Sequence, residues 1–312
     1  MNNIRALKGA HDDKRQKSLE LGESRTSPWK EFMSLIKIGI VNSNMITTFA
    51  GLWLALHFLE KSFLDHLGII FLTLAGSSLI IAGSCIMNNL YDRDIDFYME
   101  RTKQRPTVTG SLNLQFAFVL GLAFIILGLA ALFLTTVTAG IIGIIGVFSY
   151  VILYTVWTKR RFVSNTIVGS ISGAVPPLIG WAAVDPGLHI IAWSLFLLMF
   201  IWQPPHFYAL AMRRVEEYRA AGVPMLPVVK GATTTKKHII AWVALLLPIP
   251  FLLHELGIVF MVIATLLNLG WLYIGISKYN KKDDIAWAKS MFVYSLQYMT
   301  IIFTAMVIVT LI

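Results

Sequence analysis

The chain has 312 residues, of which 56% are hydrophobic and only 14% are charged. A soluble domain keeps about a quarter of its residues charged, so we expect lipid to cover most of this surface. The net charge of +9 does not indicate nucleic-acid binding, because the basic residues lie between apolar stretches, where they act as topology signals. The single cysteine, Cys85, excludes an internal disulfide.

The N-terminal segment, residues 1–34, is the one long polar stretch of the chain. No apolar run follows Met1 for roughly thirty residues, which excludes a secretory signal. Its acidic residues are not typical of a transit peptide. The composition therefore predicts a disordered cytosolic tail over 1–34, followed by one membrane domain over 35–312.

The rest of the chain contains repeated apolar segments. Crossing the hydrocarbon core takes about 20 largely apolar residues. Nine segments meet this length, and they are 36–57, 67–91, 114–135, 138–157, 164–184, 190–211, 239–254, 257–277 and 289–311. The seventh segment contains Pro248 and Pro250, which free backbone groups that neighbouring helices must satisfy. The sequence predicts an all-α bundle of nine transmembrane helices.

The basic residues predict how this bundle is oriented. All but one of the 26 Lys and Arg residues lie in residues 1–37 or around the connections after the second, fourth, sixth and eighth segments, in residues 92–112, 158–163, 212–238 and 278–289. The exception is Lys61. By the positive-inside rule these connections and the N-terminus face the cytosol, and the C-terminus lies outside. Since the same connections hold most of the other polar groups, we expect the functional site to open to the cytosol.

Three polar residues follow one another at the end of the second segment. Asn88, Asp92 and Asp96 are spaced i, i+4, i+8, which places them on one face of a helix. Stacked carboxylates repel each other unless a cation lies between them. Oxygen ligands from Asp and Asn suit Mg²⁺, which bridges carboxylates to substrate phosphates. We refer to these three residues as the ladder, and we predict that they bind a metal-chelated diphosphate and serve in catalysis.

The stretch after the ladder adds positive charge. Arg101 and Arg105 are four residues apart, and guanidinium groups match the geometry of phosphate oxygens. Both also serve as inside-positive anchors. Carboxylates that hold a metal next to two arginines are the arrangement that a diphosphate leaving group needs.

At this point the sequence resembles a known family. The ladder, followed by Arg101-Thr102 and Arg105-Pro106, is similar to the first aspartate-rich motif of the intramembrane aromatic prenyltransferases of the UbiA type. Longer motifs resemble the protohaem IX farnesyltransferase (haem O synthase) branch of that family, and they lie at Tyr154–Arg160, Gly173–Trp181, Trp202–Leu210 and Glu217–Val228. The resemblance covers about residues 35–312. It implies a nine-helix fold, a multi-pass protein of the bacterial plasma membrane, and Mg²⁺ as cofactor.

The resemblance also implies the substrates. Farnesyl diphosphate and protohaem IX (haem B) would react to give haem O and pyrophosphate, and the enzyme that oxidises haem O is the partner expected from that pathway. Residues expected to bind substrate are Arg101, Arg105, Tyr154, Lys159, Arg160, Gln203, His206 and Arg213. Two other functions stay open at this stage: prenyl transfer to a quinone or another aromatic acceptor, and transport.

The second polar connection departs from the general family pattern. Where an acidic ligand would begin, the chain has His206, and two glutamates, Glu216 and Glu217, follow downstream. This pattern is typical of the haem branch. Glu217 either ligates a second Mg²⁺ through water or does not bind metal. His206 is expected to ligate haem iron, hydrogen-bond a propionate or handle a proton. Residues 212–230 predict an amphipathic lid that keeps water from a carbocation.

Overall fold

The computed structural model describes residues 27–280 and 283–312, and the regular structure of that part of the chain is entirely helical. The predicted all-α class is therefore confirmed. Nine helices of the described chain are long, and we number these α1 to α9. They are α1 Ile38–Phe58, α2 Leu67–Tyr91, α3 Leu114–Phe133, α4 Val137–Phe148, α5 Asn165–Ala182, α6 Ile190–Met212, α7 Leu226–Ala244, α8 Gly257–Ser277 and α9 Asp284–Val309.

Shorter helices fill the connections. In chain order they are Pro28–Leu35, Leu64–His66, Arg93–Asp96, Pro106–Thr109, Val215–Ala220, Ile249–Leu252 and His254–Leu256. Leu64–His66 and His254–Leu256 are 3₁₀ turns. Helix α4 continues without a break as a π-helix, Ser149–Thr158. This π-helix was not predicted, and it adjoins the functional site.

Eight helical segments within the described residues are long and apolar enough to cross a membrane. The chain is therefore a multi-pass membrane protein. Helix α5 is not one of the eight, since it contains polar residues such as Asn165 and Ser170 and two prolines, Pro176 and Pro177. It packs against α1, α4 and α6, so protein rather than lipid surrounds much of it. The nine crossings and the orientation of the termini stay predictions.

The boundary of the predicted N-terminal tail needs correction. Residues 1–26 of that tail lie outside the described residues. Residues from Pro28 onward form the helix Pro28–Leu35, which Ser27 caps by accepting from the N–H of Lys30 at 3.3 Å. The apolar side of this helix packs against α2 through a small core that includes Phe32, Met33 and Leu35. Burial of this apolar face explains why the last part of the predicted tail is ordered.

The helices pack as a ring around two central members. Helix α5 lies against α1, α4 and α6, and helix α6 lies against α5, α7 and α9. Contact between α9 and α1 closes the ring. Chain reversal at each connection brings the start of α1 and the ends of α2, α4 and α6 to the same end of the bundle. The polar residues of the sequence analysis are therefore brought together at that end.

Glycines permit two unusually close helix contacts. A Cβ at Gly51 of α1 would lie 2.0 Å from the carbonyl oxygen of Pro177, and a Cβ at Gly180 of α5 would lie 2.0 Å from that of Thr48. The backbones of α1 and α5 thus touch, as small residues allow in membrane helices. The same holds for Gly76 and Gly128, which face each other between α2 and α3.

After α7 the prolines leave a backbone carbonyl without its helical donor, and a neighbouring helix supplies the hydrogen bond, as the sequence predicts. Pro250 has no N–H to donate to the carbonyl of Leu246, four residues earlier. The Nδ2 of Asn268 on α8 donates to that carbonyl at 2.7 Å. A second break lies at Gly231, whose φ of 76° interrupts the first part of α7. The break at Gly231 divides α7, and the prolines separate α7 from the short helix Ile249–Leu252.

Candidate functional site

The ladder keeps its helical register past the end of α2. The N–H of Asp92 donates to the carbonyl of Asn88 at 2.9 Å, and the N–H of Asp96 donates to that of Asp92 at 2.8 Å. The three residues therefore share a face, as their spacing predicts. All three are buried, and Asp92 has no solvent exposure at all. Buried carboxylates need compensating charge or hydrogen bonds.

That compensation comes from three basic residues on other segments. Lys159 and Arg160 follow the π-helix, and both pair with the carboxylate of Asp92. Arg160 also binds Asp94, and this hydrogen bond lowers the pKa of the Asp94 carboxyl. Arg105 pairs with Asp96. The structure thus brings together the ladder and the predicted residues Arg105, Lys159 and Arg160.

The π-helix Ser149–Thr158 orients the groups opposite the ladder. In its wider turn the Oγ1 of Thr155 donates to the carbonyl of Tyr150, five residues earlier, at 2.8 Å. The same oxygen accepts from the Nδ2 of Asn88 at 2.9 Å. Asn88 also donates to Asp92 Oδ2 at 2.8 Å. Segments of π-helix are frequent at functional sites, and this one aligns α4 with the first residue of the ladder.

Lys37 is a member of the site that the sequence analysis missed. Its Nζ donates to the Oδ1 of Asn88. The residue lies just before α1 with a φ of 53°, a left-handed conformation that costs energy for a residue with a side chain. Asn89 holds the preceding helix in place by donating to the carbonyl of Leu35 at 2.8 Å. The tandem Asn88-Asn89 inside an apolar segment was the signal that this region has additional partners.

Among the described residues no carboxylate pairs with Lys37, whose hydrogen-bond partner is the neutral amide of Asn88. Burial lowers the pKa of Lys37 to about 7, and the nearby charges of Arg105 and Lys159 add to that effect. An ammonium group in such a position gains from any anion that binds nearby. We call Lys37, Arg105, Lys159 and Arg160 the cation cluster.

The charges of the site are unequal. Arg105, Lys159 and Arg160 pair with Asp92, Asp94 and Asp96, and Lys37, whose pKa is about 7, adds a further positive charge when it is protonated. Asp94 is largely exposed and screened by solvent, while Asp92 and Asp96 are buried. A buried region with surplus positive charge favours an anionic ligand, and a phosphate group offers the oxygen atoms that Lys and Arg bind best.

The donor set of the ladder also fits a hard divalent cation. Carboxylate and amide oxygens of Asn88, Asp92 and Asp96 are the ligands that Mg²⁺ prefers. Each of these three side chains now accepts a hydrogen bond from the cation cluster. A diphosphate would offer the cluster new acceptors, and the oxygens of the ladder would then be free to hold a metal. The residues therefore fit a metal and a diphosphate that bind together.

Glu217 does not join the ladder. Its Oε1 accepts from the Nη1 of Arg214, three residues earlier. Within the part of the chain that the structure describes, no three acidic, His or Cys side chains lie close enough together to hold a metal. A metal site here would therefore rely on Asn88 and on substrate oxygens as well as on the two aspartates.

Two other predicted substrate-binding residues lie beside the cation cluster. Tyr154 is half-buried on the π-helix and stacks on Tyr150 with 5.8 Å between ring centroids. Lys159 Nζ lies 5.9 Å from the centroid of the Tyr154 ring. Arg101 is exposed, whereas Arg105 is buried, because the helix ends at Asp96 and the chain continues as turns. The two arginines therefore do not act as the equivalent pair that their spacing predicts.

The second polar region lies in the last turns of α6. Gln203 is buried, and its Nε2 donates to the carbonyls of Met199 at 3.1 Å and Ser170 at 3.3 Å. A Cβ at Gly173 of α5 would lie 2.2 Å from Gln203 Oε1. Gly173 therefore makes room for this side chain. Gln203 is held between α5 and α6, one turn before His206.

His206 lies in a stack of aromatic rings. The centroid of its imidazole is 4.7 Å from Trp202 on one side and 4.9 Å from Phe292 of α9 on the other, with both pairs close to parallel. The Cζ of Arg213 lies 5.0 Å from the centroid of Phe292. We refer to Trp202, His206, Phe292 and Arg213 as the aromatic stack. Phe292 was missed by the sequence analysis, because nothing in an apolar helix distinguishes it from a lipid-facing residue.

The connections after α2 and α6 pack on each other. Ile95 and Met99 from the first contact Val223 and Met225 from the second in a small separate core. The helix Val215–Ala220 is amphipathic, since its Tyr218 joins this core while Glu216 is exposed. The contact joins the two polar connections, and the role of residues 212–230 as a lid stays a prediction.

An apolar groove of about 510 Å³ lies between α1, α2 and α9. Its lining is almost entirely hydrocarbon and aromatic, with Ser78 and Thr304 as exceptions. The groove is large enough for a small-molecule ligand. Helices α1 and α2 also lead to Lys37 and the ladder, respectively.

Comparison with known proteins places these features in context. The model of the UbiA prenyltransferase family matches residues 44–296. A protoheme IX farnesyltransferase of Geobacillus sp. (strain WCH70) is 61% identical over 91% of this chain and 92% of its own length. Protoheme IX farnesyltransferase 2 of Bacillus subtilis (strain 168) is 59% identical over 92% of this chain and 94% of its own.

Solved structures share the fold at much lower identity. A digeranylgeranylglyceryl phosphate synthase has a TM-score of 0.72 and 20% identity, with 91% of this chain and 99% of that chain covered. A UbiA homologue from Archaeoglobus fulgidus, bound to DMAPP and Mg²⁺, has a TM-score of 0.63 and 16% identity, with 88% and 99% covered. At these identities the similarity concerns the arrangement of the helices.

Proposed function

Because this chain belongs to the UbiA prenyltransferase family, we propose that it transfers the farnesyl group of farnesyl diphosphate to a vinyl group of protohaem IX. The products are haem O and pyrophosphate. The similar protoheme IX farnesyltransferases cover more than nine tenths of the chain, which supports the choice of both substrates. The observation that carries the proposal is the cation cluster on the buried ladder, which fits a diphosphate.

The reaction is proposed to begin at the ladder end of the bundle. Lys37, Arg105, Lys159 and Arg160 turn from the ladder to the oxygens of the diphosphate. The bond between farnesyl C1 and the diphosphate oxygen breaks, and its electron pair leaves with pyrophosphate, whose growing charge the cation cluster stabilises. Mg²⁺, held by Asn88, Asp92 and Asp96, would add a further positive charge for the leaving group.

The acceptor half of the reaction follows from the chemistry of a vinyl group. The vinyl π-electrons form a carbon–carbon bond to C1 of the allylic cation, which leaves a cation on the neighbouring vinyl carbon. Water adds there and loses a proton, giving the hydroxyethylfarnesyl side chain. The connections that pack over this end of the bundle keep bulk water from the first cation.

The remaining predicted residues take supporting positions in this scheme. Tyr154 lies beside Lys159 at the donor end, and exposed Arg101 attracts the anionic substrate from solvent. Gln203, His206 and Arg213 lie on the acceptor side. The apolar groove between α1, α2 and α9 is proposed to receive the farnesyl chain. Glu217 is not assigned a metal, since its carboxylate pairs with Arg214.

The setting in the membrane is proposed from charge and from the relatives. Nine crossings with a cytosolic N-terminus and an external C-terminus place the ladder on the cytosolic side. The bacterial origin of the similar farnesyltransferases favours the plasma membrane. The enzyme that oxidises haem O is the partner expected next in the sequence of reactions.

The test is a product assay with competing acceptors. Purified protein in lipid receives farnesyl diphosphate, haem B and a quinone, with Mg²⁺ or with a chelator in excess. We expect mass spectrometry to find haem O when Mg²⁺ is present and almost none with the chelator. Prenylated quinone in place of haem O would overturn the choice of acceptor, and an unchanged rate with the chelator would overturn the role of the metal.

A further inference from the structure

The hydrogen-bond partners of Ser295 on α9 assign the proton of His206 to one ring nitrogen. The Oγ of Ser295 donates its one hydrogen to the carbonyl of Phe292 at 2.6 Å. The same oxygen lies 2.7 Å from His206 Nδ1. Since a hydroxyl has a single hydrogen, Ser295 accepts from His206, and Nδ1 is the protonated nitrogen. The lone pair of the imidazole is therefore on Nε2.

Three rings pack around His206, including Phe207, which lies edge-on at 5.0 Å between centroids, and among the described residues no protein group hydrogen-bonds to the Nε2 of His206. Trp202 and Phe292 cover the two faces, and Ser295 occupies the Nδ1 side. The backbone of Ser295 also holds Trp202, because its carbonyl accepts from the indole N–H at 3.0 Å. One residue of α9 thus fixes both the imidazole and a ring that stacks on it. With only 8% of the residue accessible, Nε2 is restricted in direction.

We infer that Ser295 is a positioning residue which directs the Nε2 of His206 to the iron of the haem substrate. A histidine that ligates a metal almost always donates its other N–H to an oxygen, and this bond sets the tautomer and the orientation of the ring. The pair His206 and Ser295 has that arrangement. The guanidinium carbon of Arg213 lies over the Phe292 ring, 5.0 Å from its centroid, where the guanidinium group is available for a haem carboxylate.

This inference rests on the proposed function, because it takes haem as the acceptor. It goes further by naming an iron ligand and the residue that orients it. Separate groups would then hold the two substrates. The aromatic stack binds haem through its iron, and the cation cluster binds the diphosphate. A change at Ser295 should therefore affect haem and leave the diphosphate unaffected.

The experiment uses the full chain in lipid nanodiscs with haem B as the probe. Absorption spectra and haem titrations are recorded for the unchanged protein and for His206→Ala, Ser295→Ala, Ser295→Thr and Ser290→Ala. Ser290 is the matched control, because it lies on the same helix and its hydroxyl donates to the carbonyl of Ala286 at 3.1 Å, with no other hydrogen bond within the described chain. Binding of farnesyl diphosphate is measured in every variant to show that the fold is intact.

We expect His206→Ala to lose the spectrum of a histidine-ligated haem and to regain it when free imidazole is added. Ser295→Ala should weaken haem binding by about 10- to 100-fold, as loss of an outer-shell partner does at metal sites. Ser295→Thr keeps a hydroxyl and should restore most of the affinity. Ser290→Ala should match the unchanged protein.

Two results would overturn the inference while the proposed function stands. In the first, the unchanged protein produces haem O, but its haem spectrum and that of His206→Ala are the same. The other is equal haem affinity in Ser295→Ala and Ser290→Ala. If the protein instead prenylates a quinone and binds no haem, the proposed function itself fails.

Discussion

The ladder region and the aromatic stack lie at the same end of the bundle but are built on different physical principles. Around the ladder, two buried aspartates contact three cations from two other segments, so charge organises the structure. Around His206, aromatic rings provide the contacts, and the hydrogen bond to Ser295 orients the imidazole. One region suits an ion that changes charge during reaction, and the other suits a flat, largely apolar ring with a metal at its centre.

This difference between ion pairs and stacked rings indicates how each region binds its ligand. Charged groups already paired with one another can exchange partners when a diphosphate arrives, at little cost in desolvation, because they are buried before binding as well as after. An imidazole held by stacking has no such exchange to make and is ready before its ligand arrives. Diphosphate binding at the ladder, the donor region, is therefore expected to respond to changes in charge. Haem binding at the aromatic stack, the acceptor region, is expected to respond to changes in shape.

The largest effect is expected from Asp92→Asn. The substitution removes the negative charge shared by Lys159 and Arg160 and a ligand of the proposed metal. We expect kcat/KM for haem O formation to fall by about 10³-fold, the range seen when a key electrostatic group of a reaction is lost. Asp94→Asn is the control, because that carboxylate is largely exposed, and it should change the rate by only a few-fold. Equal rates for both variants would contradict the central role of Asp92.

A smaller effect is expected from Lys37→Met. This change removes a half-buried amine whose hydrogen-bond partner is the neutral amide of Asn88, so the fold should tolerate it while the diphosphate loses one charged contact. We expect KM for farnesyl diphosphate to rise by about 10- to 100-fold, since hydrogen bonds to charged groups contribute about 1.5–3 kcal/mol. The control is Lys61→Met, which should leave KM unchanged. The ammonium of Lys61 donates to the carbonyl of Val184 at the opposite end of the bundle. An unaltered KM in Lys37→Met would remove Lys37 from the site.

The smallest effect is expected from Gly173→Ala, which tests the acceptor region by shape alone. The added Cβ would meet the flexible end of Gln203 at 2.2 Å, so Gln203 must shift beside the aromatic stack. We expect haem affinity to fall roughly tenfold, within the usual cost of overpacking, and diphosphate affinity to stay constant. Gly39→Ala, where a Cβ would meet nothing within 4 Å, is the control. Equal losses for both ligands would show that the two regions are not independent.

Much of the architecture was accessible from the sequence, because hydropathy and charge act over whole segments. The all-α class follows from the length of the apolar segments, and the shared face of Asn88, Asp92 and Asp96 follows from their spacing. The prolines after α7 predicted a partner for their free carbonyls, and Asn268 provides it. In each case the signal lies within about 20 consecutive residues.

What the sequence did not reveal depends on distant pairs. Lys37 meets Asn88 across 51 positions, and in the sequence it is simply one more basic residue before an apolar segment. Ser295 meets His206 across 89 positions, in a helix with several other hydroxyl side chains. The different environments of Arg101 and Arg105 arise because the helix ends at Asp96, a boundary that a spacing rule does not locate. Partner identity in these cases is a property of packing.

The separation of the two regions is tested most directly by titrating Asp92→Asn with both ligands. Purified variant and unchanged protein each receive haem B in one experiment and farnesyl diphosphate with Mg²⁺ in another. The account predicts that Asp92→Asn binds haem with unchanged affinity and spectrum, while its affinity for the diphosphate falls by at least about tenfold, as expected for a lost metal ligand or its outer-shell partner. Parallel loss of haem and diphosphate binding, or full retention of diphosphate binding, would contradict it.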